Sequence, residues 1–140
     1  MARYVTSVAT PLSAPEAFAY MGDVTHFVEW DPGVKRVLRV GAAYDLTVQA
    51  GGTTVMRYEV KAYEPPRRIL LVARTSFLTS VDEVRVEVAG SGSIVIYDAK
   101  LTFNGPLGLL DPLLCLAFRR IGDRAATGLK RVLSGQAAAG

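Results

Sequence analysis

Apolar and polar residues alternate with period two through most of the chain, then give way near its end to a spacing of three and four. Period two sends successive side chains to opposite faces of a strand, whereas three-and-four builds one stripe along a helix. Tyr4 to Thr10 reads as a first strand. Six further candidates follow: Val34 to Val40, Ala43 to Gln49, Thr53 to Glu64, Ile69 to Thr75, Ser80 to Val88 and Ser93 to Phe103. Gly51-Gly52, Pro65-Pro66 and Gly90-Ser91-Gly92 mark turns between them, and connections this short predict an antiparallel meander. Met56, Tyr58, Val60 and Ala62 share one face of the Thr53 strand, opposite Arg57, Glu59 and Lys61. Val84, Val86 and Val88 oppose Glu83, Arg85 and Glu87; Val95, Tyr97, Ala99, Leu101 and Phe103 oppose Ile94, Ile96, Asp98, Lys100 and Thr102. Ile69 to Arg74 is apolar on both sides, which leaves its orientation open.

Two short helices interrupt the strands. Ser13-Ala14-Pro15-Glu16 is a capping box opening a helix with Ala17, Phe18 and Met21, for which Gly22 is the expected left-handed stop. Thr25 to Glu29 reads as a second helical turn, closed by Trp30-Asp31-Pro32-Gly33. The long helix comes last. After a turn at Asn104-Gly105-Pro106, Asp111 has N-cap chemistry and Pro112 suits the first helical position. Leu114, Phe118, Ile121, Ala125, Leu129 and Val132 form its stripe to about Ser134, with Arg119, Arg120, Asp123, Lys130 and Arg131 opposite. An apolar stripe and an apolar sheet face bury each other, and a strongly curved sheet leaves a cavity between them.

Composition narrows the function classes. One domain over residues 1–140 is expected, with 50% hydrophobic and 21% charged residues. A net charge of +3 without a dense basic cluster argues against nucleic-acid binding. The one cysteine, Cys115, excludes an intramolecular disulfide or a multi-cysteine zinc site, and its leucine neighbours predict a buried thiol. No secretory h-region is visible, and the longest apolar stretch, Pro106 to Phe118, is broken by Asp111 and too short for a membrane span. A cytoplasmic protein is expected, with a frayed Ala137 to Gly140 tail. One histidine and no clustered carboxylates predict no metal, and nothing points to a cofactor.

Several residues can carry chemistry. His26 beside Glu29, Trp30 and Asp31 fits acid–base work, or a solvated helical turn with Phe27 and Trp30 packed under the sheet's edge. Tyr58 and Tyr97 face inward, where a phenol either orients a ligand or simply packs. Arg74, at a strand end, either points a cation at a ligand or reaches to solvent. Asp82 has inward parity near a strand start, or is a hydrated terminal carboxylate. Gly122 and Gly128 leave room for a ligand, or mark close helix–sheet contact. Ile94 and Ile96 alone do not define a dimer interface.

Three stretches carry a family likeness: SAPEAFAYMGDVTHFVEWDPGV (Ser13 to Val34), YEPPRRI (Tyr63 to Ile69) and GPLGLLDPLLCLAFRRIGDRA (Gly105 to Ala125). They resemble the START-like, or SRPBCC, superfamily, and most of all its small actinobacterial polyketide cyclase/dehydrase-like members. The resemblance implies the α+β helix-grip fold: a curved seven-stranded antiparallel sheet wrapped around a long C-terminal helix, with two short helices after the first strand. It also implies a hydrophobic cavity for a small molecule or lipid, without fixing one chemistry. The expected ligand contacts are Tyr58, Tyr97 and Arg74 as polar groups, with Met56, Leu101, Phe103, Leu114, Phe118 and Ile121 as walls. The expected partner is a small hydrophobic molecule, lipid or polyketide-like, bound by a monomer or homodimer, with no catalytic residue assigned. The alternative is a polyketide cyclase/dehydratase acting on a poly-keto substrate in the same cavity.

Overall fold

The computed structural model describes residues 2–49, 52–76, 78–103 and 111–139, the side chains of 111–115 and 135–139 excepted. The expected turn at Asn104-Gly105-Pro106 lies outside them, as do the side chains of Asp111, Pro112, Leu114 and Cys115. The elements in chain order are β1 (Ala2–Thr10), α1 (Ala14–Met21), a 3-10 turn (Val24–His26), α2 (Phe27–Trp30), β2 (Val34–Val40), β3 (Ala43–Gln49), β4 (Thr53–Glu64), β5 (Arg68–Arg74), β6 (Leu78–Ala89), β7 (Gly92–Phe103) and α3 (Asp111–Ala139). This is the helix-grip fold.

All strand pairs are antiparallel, in the order β1-β7-β6-β5-β4-β3-β2. Each hairpin joins sequence neighbours, and β1 closes the far edge against β7. Gly41 and Gly90 turn two of the tight hairpins at φ 60° and 62°, a left-handed region costly for other residues. Register shifts at Val34/Arg36 and Val60/Ala62 bend β2 and β4, and such bends make the sheet concave.

Alternation assigns the concave face. Met56, Tyr58, Val84, Val86, Val95, Tyr97 and Ala99 are buried there. Val88 keeps their parity but stands 77% exposed near the β6–β7 turn. The ambiguous segment resolves cleanly: Ile69, Leu71 and Ala73 turn inward, and Leu70, Val72 and Arg74 face out. The convex face is tied by ion pairs, among them Arg3 to Asp98 through two hydrogen bonds (3.1 and 2.7 Å) and Arg57 to Asp45 (2.8 and 3.0 Å).

The capping box at Ser13 and Glu16 starts α1 as its sequence predicts. Gly22 ends it differently, in a right-handed conformation (φ −78°) rather than a left-handed one. A side chain is excluded there by the ring and carbonyl of Phe18, each 2.9 Å from where a Cβ would sit.

Helix α3 lies over β1 and against α2. Its buried side is Gly122, Ala125, Ala126, Gly128, Leu129 and Leu133, flanked by half-buried Phe118, Ile121 and Val132. The stripe is therefore rotated slightly from the expected one, with Leu133 rather than Val132 at its centre. Leu129 and Leu133 are fully buried, each worth about 1.5–3 kcal/mol. Both glycines mark close contact, not open space: a Cβ on Gly122 would enter the Tyr4 ring, and one on Gly128 the carbonyl oxygen of Trp30. The helix continues to Ala139 through the expected tail, in keeping with alanine's high helix propensity. No described helix is long and apolar enough to cross a membrane.

Candidate functional site

The layer between the concave face and α3 holds an apolar wall with a polar centre. Tyr58 on β4 and Ser80 on β6 reach each other across β5, and the Tyr58 hydroxyl donates to Ser80 Oγ at 2.9 Å. Asp82 follows two residues along the same inward face, paired through the backbone with Leu71 and Ala99. Tyr97 lies diagonally opposite it on β7, facing Val84. From the other side comes the α2–β2 corner. There the Trp30 ring meets Tyr97 edge-on, with centroids 5.2 Å apart, and Asp31 bends back to accept the Gly33 N–H at 2.9 Å.

Burial and mutual repulsion set the protonation of this group. Burial pushes the Asp82 carboxyl up to about 7; the charge of Asp31 adds to the rise, and the hydroxyls of Tyr97 and Ser80 offset part of it. Burial likewise lifts Asp31 to about 6 against the pull of the Gly33 N–H and Lys35. The Tyr97 phenol is raised by burial and then by both carboxylates, and the Tyr58 phenol by burial and then by Asp82. Near neutral pH the two tyrosines are therefore neutral, and Asp82 is poised between its two forms. Such a set can donate or accept hydrogen bonds and can exchange a proton.

The predicted contacts divide. Met56, Tyr58 and Tyr97 come together in one buried cluster, with Phe118 packed against it. Leu101 and Phe103 extend the same face of β7, half-buried, opposite Ser80 and Leu78. Ile121 is half-buried on α3 beside Gly33. Arg74 is not brought to them: it follows the outward parity of β5 and lies with Arg57, Glu59 and Lys61 on the convex side. Leu114 falls among the side chains outside the described residues.

Asp82 is the residue that sequence weighting missed. It is buried, not a hydrated strand end, because β6 begins at Leu78 and carries it into the strand's interior. Its parity with Val84 and Val86 was the available signal. Asp31, though distant in sequence, lies close enough for its charge to raise Asp82. His26 belongs elsewhere. Its ring stacks on Tyr20 at 4.5 Å, its Nδ1 lies 2.8 Å from the Tyr20 carbonyl, and Tyr20 in turn donates to Glu29 at 2.8 Å. That is a joint between α1 and α2. Trp30 is 1% exposed, set between α3 and the sheet instead of beneath its edge. Among the described residues, no three of His, Cys, Asp and Glu gather as metal ligands. A groove of about 350 Å³ along Pro32, Asp123, Arg124, Thr127, Gly128 and Arg131 runs between the α2–β2 corner and α3 and does not include the tyrosines.

A concave sheet gripping one helix over a mixed apolar and hydroxyl layer has known relatives. The chain belongs to the polyketide cyclase/dehydrase and lipid transport family, whose model matches residues 1–134. Solved structures share the fold at low identity. A START superfamily protein from Mycobacterium smegmatis has a TM-score of 0.76 at 14% identity, covering 94% of this chain and 96% of its own. A protein from Deinococcus radiodurans has a TM-score of 0.75 at 18% identity, covering 99% of both chains. The Zhui aromatase/cyclase from Streptomyces sp. R1128 has a TM-score of 0.72 at 13% identity, covering 97% of this chain and 93% of its own. No protein of curated function matches the sequence. Family and fold together point to hydrophobic-ligand binding or polyketide cyclase-type activity.

Proposed function

We propose that the protein, acting as one domain, binds a small, largely hydrophobic molecule, lipid or polyketide-like, between the concave sheet face and α3. The observation that carries this reading is the buried Tyr58, Ser80, Asp82 and Tyr97 group set into an otherwise apolar wall. Buried polar groups cost stability unless they are bonded; these bond to one another, Tyr58 to Ser80 and both Tyr97 and Ser80 to Asp82, and so set one polar patch into an apolar face. A mostly apolar site with a few directed polar groups is the usual make-up of a small-molecule pocket. Tyr58 and Tyr97 are the polar anchors in this reading; Met56, Leu101, Phe103, Phe118 and Ile121 are walls, and Leu114 joins them on sequence pattern alone. Arg74 has no part in it.

One feature favours a second reading, a cyclase/dehydratase. A carboxyl at about 7, as at Asp82, can take and return a proton at neutral pH. Native mass spectrometry of the purified protein, followed by thermal shifts with aromatic polyketides and lipids, tests the binding reading. A co-purified ligand or a rise in Tm is expected, with binding weakened by about 1 kcal/mol in Tyr58→Phe and in Tyr97→Phe. No bound mass and no shift with any compound would contradict it. Turnover of a poly-β-keto substrate, lost on the order of a hundredfold in Asp82→Asn with binding retained, would move the conclusion to catalysis.

A further inference from the structure

We infer that the ligand is held by an uncharged carbonyl oxygen, bonded by the Trp30 indole N–H beside Tyr97 and Asp82, and that carboxylate ligands are turned away. This rests on the binding reading above and names the chemistry of its ligand. Trp30 is 1% exposed, and among the described residues its Nε1 has no hydrogen-bond acceptor. An indole N–H can only donate, so a buried one without an acceptor leaves a directed bond unmade. Its ring stands edge-on to Tyr97 while its own carbonyl abuts Gly128 of α3, so the indole occupies the layer of the polar cluster.

The charges around it select against anions. The charge of Asp31 already raises Asp82, and both carboxylates raise the Tyr97 phenol. A ligand carboxylate would add a third negative charge. The cation nearest in effect, Lys35, is exposed and draws on Asp31, and Arg74 lies on the convex side. A ketone or ester oxygen needs only donors: the Trp30 N–H has no acceptor among the described residues, and the bonded Tyr97–Asp82 pair has a further O–H to offer only when Asp82 is protonated.

The chain has one tryptophan, so a ¹⁵N-labelled sample gives one indole N–H resonance to follow. Three probes of matched size separate the terms: 1-tetralone, tetralin and tetralin-1-carboxylate. Tetralone should move the indole resonance downfield and bind about five- to tenfold more tightly than tetralin, the ratio one neutral hydrogen bond gives. The carboxylate should bind more weakly than either at about pH 8, where Asp82 is ionised, and should gain affinity in Asp82→Asn. Trp30→Phe should erase the tetralone advantage, bringing the affinities for tetralone and tetralin to within about twofold of each other. If that variant does not fold, the indole resonance and the three wild-type affinities decide. Equal binding of tetralone and tetralin with a still indole resonance, or preference for the carboxylate, would overturn the inference and leave the binding reading standing. Binding of none of the three would overturn this inference, and the binding reading falls with it only if native mass spectrometry and the polyketide and lipid panel are also blank.

Discussion

Asp82→Asn isolates what a buried carboxyl does to the stability of this fold. An aspartate in an unfolded chain titrates near ~3.9, and in the folded protein burial and Asp31 hold Asp82 at about 7. The folded state therefore keeps a proton that the unfolded state has released. Stability from this group is present below about pH 4 and is lost as pH rises toward 7. Asp31 acts in the same direction over a narrower window that ends at about 6. Asp98 and Asp45 act oppositely: hydrogen bonds from Arg3 and Arg57 hold them low, so their contribution is lost only in stronger acid. Asparagine cannot ionise. Asp82→Asn should thus be more stable than wild type by roughly 3–4 kcal/mol at about pH 8 and by only about 1–1.5 kcal/mol at about pH 5. Urea unfolding at the two pH values reads this directly, and a difference that does not change with pH would refute the burial of a poised carboxyl.

At the scale of elements, the α2–α3 crossing is the tightest joint, and Gly128 makes it. Alanine there would add up to about 1 kcal/mol of helix propensity. Its methyl would meet the Trp30 carbonyl, a backbone group that cannot swing aside. Gly128→Ala should therefore lower stability by roughly 1–3 kcal/mol in thermal unfolding. Gly122→Ala should cost less, because the Tyr4 ring it meets is a side chain able to turn at the expense of its 2.8 Å hydrogen bond to Asp123. A stabilised Gly128→Ala protein would contradict the close crossing. The elements themselves were largely legible in the sequence. β2, β3 and β4 run between the residues their alternation marks, since turn residues bound them on both sides. β6 starts earlier than Ser80 because Leu78 pairs with Phe103, a partner that alternation within one strand cannot reveal. Sequence left Gly122 and Gly128 open between room for a ligand and close contact; only the packing partners decide it.

At the scale of the whole molecule, the site was half legible. Parity along single strands was enough to put Met56, Tyr58 and Tyr97 on the inner face. It could not settle Arg74, because β5 is apolar on both faces and its register against β6 decides the matter. Nor could it foresee the charge of Asp31 reaching Asp82 or the enclosed Trp30 indole, which depend on the sheet curving until Trp30 of α2 meets Tyr97 on β7. That same curvature underlies the central claim, a ligand layer between sheet and helix. The most direct measurement is a titration of methyl-labelled protein with 1-tetralone, followed by NMR. The account predicts shifts at Met56, Leu101 and Ile121, with Val5 and Val55 on the convex face unmoved. Shifts confined to the convex face or to the outer side of α3, with the inner methyls still, would contradict it.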